Sequence, residues 1–283
     1  MLRFQESKTN QEVAKVKWVD TIPVGSITEG STIDFYISGS GDDYLDLHRT
    51  RLYVKMQVVK KNGERLDSKD RVSTINLMLH SLFSQVDIAL QNIQINNGVG
   101  NHYSYKAYWD VVLNHGRGAK STKLQAQGFY KDEEKLDDLN ALTGSNTGLA
   151  MRFVRIWNDN SAQLCDWEGP LLLDLCQQEI PLPNGVDVRI RLWPSKFPFF
   201  LTTPENKEYR IILHETVLKL CKITPSPQVL LKNEQKLAKT TAKYPNMRSE
   251  VSTHSLAAGT TQITLDDVFR GRVPSQLVIG LVD

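Results

Sequence analysis

Three features of the 283-residue sequence predict an all-β fold, an antiparallel jelly-roll β-sandwich carrying two short helices. Short stretches of alternating apolar and polar residues recur along the chain. The clearest is "GVDVRIRLW", where Val186, Val188, Ile190 and Leu192 alternate with Asp187, Arg189, Arg191 and Trp193. Helical periodicity is confined to two segments, and strands do not alternate with helices at regular intervals, which disfavours a doubly wound sheet. The pattern describes a sandwich of the jelly-roll or immunoglobulin kind, and no Cys-Trp-Cys spacing supports an immunoglobulin domain.

Residues 1–30 are polar and mixed, with Trp18 as an anchor and Pro23, Gly25 and Gly30 as turn residues, and read as an extended arm. "STIDFYIS" places Ile33, Phe35 and Ile37 on one face, and "GSGDDY" ends that strand in a loop. "RLYVKMQVV" places Leu52, Val54, Met56 and Val58 together, and Asn62-Gly63 follows as a tight-turn pair. In "STINLMLHSLFSQVDIALQNIQINNG", Leu77, Leu79, Leu82 and Phe83 suit a helical turn. Val86, Ile88 and Leu90 then suit a strand with one buried face, ending at the turn signal Asn96-Asn97-Gly98. The first helix is "YSYKAYWDVVLNHG", with Tyr105, Tyr108, Trp109, Val112 and Leu113 as its apolar stripe and Gly116 as its C-cap. Residues 116–148 are polar and turn-rich and read as a long surface excursion. Strands are expected again at "LAMRFVRIW", "GPLLLDLC", "GVDVRIRLW" and "EYRIILHETVLKLCKI". The second helix begins with Ser226 as N-cap and Pro227 at the first helical position. Alternation returns in "RSEVSTHSL", "TTQITL" and "SQLVIGLVD".

Composition narrows the function classes. Apolar residues make up 40% and charged residues 23%, values of a folded globular chain and not of a disordered or fibrous one. No stretch reaches the ~18 consecutive apolar residues of a membrane-spanning helix, and the N-terminus has no apolar signal-peptide core, so the chain is expected in cytosol or nucleus, without a membrane partner. Cys165, Cys176 and Cys221 are odd in number and widely spaced, the pattern of reduced, buried thiols. With 34 basic and 32 acidic residues the net charge is +2. The groups Lys60-Lys61, Lys69-Arg71 and Arg117-Lys120-Lys123 lie in turn-like sequence and read as solvated loop charge, with at most a weak, non-specific contact with DNA.

No catalytic, cofactor-binding or metal site is expected. Asp42, Asp43 and Asp46 carry oxygen ligands but lack calcium-loop spacing, and aspartates beside glycine form turns. His80 beside Ser81 has no geometry for nucleophile activation and reads as a buried, hydrogen-bonded histidine. His102 and His115 are too far apart for a helical zinc pair and read as exposed. "NNGVGN" lacks the Lys-Ser/Thr of a phosphate-binding loop. Trp157, Trp167 and Trp193 keep open one alternative, an aromatic platform for sugars in a lectin-like sandwich.

Several blocks together carry a family resemblance. "GSGDDYLDL" and "TRLYVKMQVV", then "LHSLFSQVD" and "YKAYWDVVLNHG", and finally "SPQVLLKNEQKLAKTTAKYP" and "VFRGRVPSQLVIGLVD" occur in this order over residues 18–283. The chain thereby resembles the major capsid (hexon) proteins of Polinton, or Maverick, elements and of adintoviruses, although "QNIQINNG" replaces the short Asn-Gly turn of that family. The resemblance implies a double jelly roll and a homotrimeric, pseudo-hexagonal capsomer. It further implies an icosahedral virion, a minor capsid (penton) protein as partner, and assembly in the cytoplasm or nucleus. On that basis residues 1–30 are an N-terminal arm, 31–243 the first jelly roll with its closing helix, and 244–283 the beginning of a second, truncated jelly roll.

Overall fold

The structure, a computed structural model, describes residues 13–67, 69–95, 100–158, 161–197, 199–205, 207–266, 268 and 273–281. Its strands are β1 (Val13–Thr21), β2 (Ile33–Ile37), β3 (Tyr44–Lys60), β4 (Ser73–Thr74), β5 (Phe83–Leu90), β6 (Ile93–Gln94), β7 (Trp157–Asn158), β8 (Ser161–Ala162), β9 (Leu164–Pro170), β10 (Val188–Pro194), β11 (Leu201–Thr202) and β12 (Tyr209–Pro225). The helices are α1 (Met78–Ser81), α2 (Tyr103–Asn114), α3 (Arg117–Lys120), α4 (Thr147–Ile156) and α5 (Pro227–Leu237).

Strand pairing defines the fold. β1 pairs with β12, β2 with β10, β3 with β9 and β5 with β6, all antiparallel, so the chain is a nested ribbon closed at its inner end by the β5–β6 hairpin. The ribbon folds over into two four-stranded sheets, ordered β1-β12-β3-β9 and β2-β10-β5-β6. This is the connectivity of a jelly roll, and the chain is an antiparallel jelly-roll sandwich with short helices.

Alternation explains the core. Phe35, Val54, Met56, Ile88, Trp167, Val188, Ile190 and Leu192 project from the inner faces of both sheets and are fully buried. Gly39 lets the two ends of the β2–β10 pair close. A Cβ there would overlap the Val186 backbone, while its own N–H donates to Asp187 Oδ1 at 2.9 Å.

Several expectations are corrected. The arm contains strand β1, on which Trp18 is 54% exposed and not a buried anchor; residues 1–12 lie outside the described part. "LAMRFVRIW" is helix α4, not a strand. Asn146 caps it by accepting from Leu149 N at 3.2 Å, and Leu149, Arg152, Phe153 and Ile156 form its buried side. "GPLLLDLC" contains only the end of β9, followed by a 3-10 turn at Asp174–Gln177. The Asn96-Asn97-Gly98 signal lies outside the described residues; the hairpin turns at Gln91 and Asn92 instead, both at positive φ (49° and 64°), the backbone of a type I′ turn. Gly116 is extended, not left-handed, and α2 ends at an extended His115.

The 116–148 excursion is not wholly at the surface, because a 3-10 turn at Lys123–Gln127 buries Leu124 and Gln127, and Phe129 follows them inward. α2 is also rotated from expectation, with only Val112 and Tyr105 of the expected stripe half-buried. It buries Tyr103, Ser104, Lys106, Ala107 and Val111, leaving Tyr108, Trp109 and Leu113 outside. Beyond residue 250 the alternating segments form no strand among the described residues, although Tyr244 and Val251 pack on the core.

Candidate functional site

Three buried polar clusters tie the long β6–β9 connection to the sandwich. His80, at the end of α1, is 1% exposed. Its Nδ1 lies 2.8 Å from Tyr103 Oη and its Nε2 lies 2.9 Å from Gln127 Oε1. Gln127 Oε1 can only accept, so a neutral ring donates from Nε2 and takes the Tyr103 hydroxyl proton at Nδ1, while Tyr103 Oη accepts from Leu172 N at 3.2 Å. Burial pushes the His80 pKa down to about 4 and pushes the Tyr103 hydroxyl far up; the Gln127 hydrogen bond partly opposes the former, and the Lys106 charge adds to it. An imidazole already engaged on both nitrogens and held neutral braces the fold and offers no free base.

Lys106 is the second centre. Its buried ammonium donates to Asp110 Oδ2 at 2.5 Å and Leu172 O at 2.7 Å, and lies 3.2 Å from Asp174 Oδ1. Arg152 is the third, donating to Thr74 O and Tyr130 O, both at 2.9 Å, and to Asp132 Oδ1 at 2.7 Å. Hydrophobic periodicity missed both cations. The available signals were Lys106 amid the small residues Ser104 and Ala107, and Arg152 one residue before Phe153 in a capped helix.

The aspartates singled out from sequence diverge. Asp42 is exposed; Asp46 is buried within β3 beside the register shift against β12, accepting from Arg49 N at 3.1 Å. Asp43 joins Lys17 at 2.6 Å and Thr224 Oγ1 at 2.7 Å, bonds that lower its pKa against the smaller effect of burial. Ser81 donates to Asn76 O and Leu77 O, away from the His80 ring. His102 and His115 are half-buried, not exposed. No cluster of three or more metal-binding side chains occurs among the described residues.

Trp157, Trp167 and Trp193 do not converge. Trp157 stacks on Phe153, Trp167 is fully buried on the inner face of β9, and Trp193 stands on the outer face of β10. All three cysteines are buried, and burial pushes the Cys165 and Cys176 thiols up to about 12. Lys60 is neutralised by Asp67 and Asp70, and Lys61 by Glu208. No helix among the described residues is long and apolar enough to cross a membrane.

The outer face of the β2-β10-β5-β6 sheet carries a group of paired polar and aromatic side chains. Arg191 Nε donates to Asp34 Oδ1 at 2.6 Å, Trp193 Nε1 donates to Asp87 Oδ2 at 2.8 Å, and the Arg191 guanidinium lies 5.9 Å from the Trp193 ring centroid. Tyr36 and Arg189 stand exposed on the same face. Aromatic and arginine side chains are the types enriched at protein interfaces.

The pairing order and the internal use of the reactive groups define a jelly-roll sandwich braced by buried polar clusters. No protein-family model matches the chain. It is similar to a chain in the structure of the Sputnik virophage, with a TM-score of 0.53 and 12% identity over 80% of this chain and 51% of that one. The Faustovirus major capsid protein aligns with a TM-score of 0.47 and 12% identity, covering 84% of this chain and 59% of that one. In sequence it is 22% identical over 259 residues to Uncharacterized protein F54H12.2 of Caenorhabditis elegans, covering 88% of this chain and 58% of that protein. The chain thus spans between half and three-fifths of the length of these relatives.

Proposed function

We propose that the chain is a structural subunit of a viral or virus-derived capsid, whose work is to bury surface against copies of itself and not to catalyse a reaction. The observation that carries this reading is the nested jelly-roll pairing, shared as a fold with the Sputnik virophage chain. It is supported by the inward commitment of His80, Lys106 and Arg152 and by the aromatic and arginine side chains on an outer sheet face. The finer form of the proposal is a major capsid protein of the Polinton and adintovirus kind. There the described sandwich would be the first of two jelly rolls, and three chains would form a pseudo-hexagonal capsomer of an icosahedral shell.

Residues 244–283 would begin the second jelly roll, a placement supported by the exposed Leu256, Ile263, Leu265, Leu277 and Ile279. A penton protein would be the further partner, and contact with packaged DNA would be weak, because Lys60 and Lys61 are already paired. Subunit interfaces of this kind belong to the obligate class above roughly 2,000 Å². Sedimentation velocity on the complete polypeptide at micromolar concentration is expected to give a trimer or larger species; a stable monomer would count against the proposal.

A further inference from the structure

Helix α2 leaves three members of its apolar stripe outside, while Tyr105 and Val112 are half-buried. Tyr105, Tyr108, Trp109, Val112 and Leu113 follow the i, i+3, i+4, i+7, i+8 spacing of a core-facing helix, yet Tyr108, Trp109 and Leu113 are 39%, 37% and 47% exposed. The inward side is held by the Tyr103 hydroxyl and the Lys106 ammonium, so hydrogen bonds fix the helix in this orientation. Such a stripe, clamped outward, is expected to receive a partner.

The distal part of the same chain approaches it stepwise. Tyr244 Oη donates to Pro181 O at 3.3 Å, and Val251 packs on the core. Ser249 donates from N at 2.8 Å and from Oγ at 3.0 Å to Asp174, the carboxylate beside the Lys106 ammonium. Thr253 Oγ1 lies 3.3 Å from His102 Nε2 at the N-terminal end of α2, and a Cβ placed on Gly280 would lie 3.8 Å from Trp109 Cζ2. The segment thus runs from the closing helix, past Asp174, to the stripe. Its own Leu277, Ile279 and Leu281 remain exposed.

We infer that the α2 stripe is an intramolecular docking surface whose occupant is the distal region of this chain, its described residues 253–266 and 273–281 and the fold they begin. Asp174, positioned by Lys106, is the latch that sets its path. The inference rests on reading residues 244–283 as the start of a second domain. It adds the surface on which that domain sits and predicts that the stripe is not the contact between copies.

The test compares the wild-type chain with a Trp109→Ser/Leu113→Ser variant and a Ser249→Ala variant. Because the substituted side chains lie outside the core, the sandwich should melt at an unchanged temperature. Protease cleavage within residues 256–281 should accelerate about tenfold, since cleavage follows the population of the undocked segment. Sedimentation should be unaltered. Unchanged cleavage in both variants would overturn the inference, and so would a fall in association state with cleavage unchanged, which would assign the stripe to a second copy. Should the double variant fail to fold, hydroxyl-radical labelling of Trp109 in the wild-type chain replaces it. Labelling is expected to rise once residues 256–281 are trimmed, and constant labelling would refute the docking. Trimer or shell formation by the complete polypeptide is read separately, so failure of the capsid reading and failure of this inference are distinguishable.

Discussion

Acidification should destabilise this sandwich through His80. The ring is buried, hydrogen-bonded at both nitrogens and held neutral, with a folded pKa of about 4 against an ordinary 6.5. Between those values the unfolded chain binds a proton that the folded chain refuses, so stability falls as pH falls from 6.5 and levels off below about 4. That gap, at about 1.4 kcal/mol per pH unit, sets a ceiling of about 3 kcal/mol, a substantial share of the ~5–15 kcal/mol that holds an ordinary domain together. The groups facing the ring are Tyr103 and Gln127, with the Lys106 charge acting in the same direction as burial. Urea unfolding at pH 7, 5.5 and 4.5 measures the effect, and a His80→Gln variant removes this titration while leaving the carboxylates in place. The wild-type chain should lose stability relative to the variant by an amount approaching that ceiling at pH 4.5. Parallel curves for the two proteins, or an imidazole that titrates near its ordinary value by NMR, would refute the reasoning.

Lys106→Met should be severely destabilising, by about 3–5 kcal/mol in thermal or urea unfolding, because it leaves Asp110 and Asp174 without their shared cation. Asp43→Asn should cost less than about 1 kcal/mol, since its pair with Lys17 is partly exposed, and Asp42→Asn nothing measurable. Gly169→Ala should cost about 1–3 kcal/mol, because the new Cβ would lie 2.5 Å from Gln127 Cγ and push that side chain off His80.

The sandwich was legible where one sheet face is buried, since period-2 alternation in "IDFYI", "RLYVKMQVV" and "VDVRIRLW" translates directly into an inner face. Its connectivity was not, because pairing Trp18 with Cys221 or Ile37 with Val188 is a long-range choice that leaves no local pattern. Helix α4 was misread because Phe153, Val154 and Ile156 favour strands individually. The Asn146 cap, three residues before Leu149, was the local signal that outweighs them. The rotation of α2 had no signal in hydrophobicity, since burial of Lys106 and Tyr103 is decided by partners on other elements, Leu172 O, Asp174 and His80. His80 itself was read correctly as buried and bonded, whereas the Gln91–Asn92 turn was hidden because Gln is an unusual occupant of a positive-φ position.

The most direct test of a shell subunit is electron microscopy of the purified complete polypeptide under conditions where it sediments as a single species. Class averages should show trimers with a pseudo-hexagonal outline, six sandwiches around one axis. Monomeric particles, or oligomers without that outline, would contradict a capsid role.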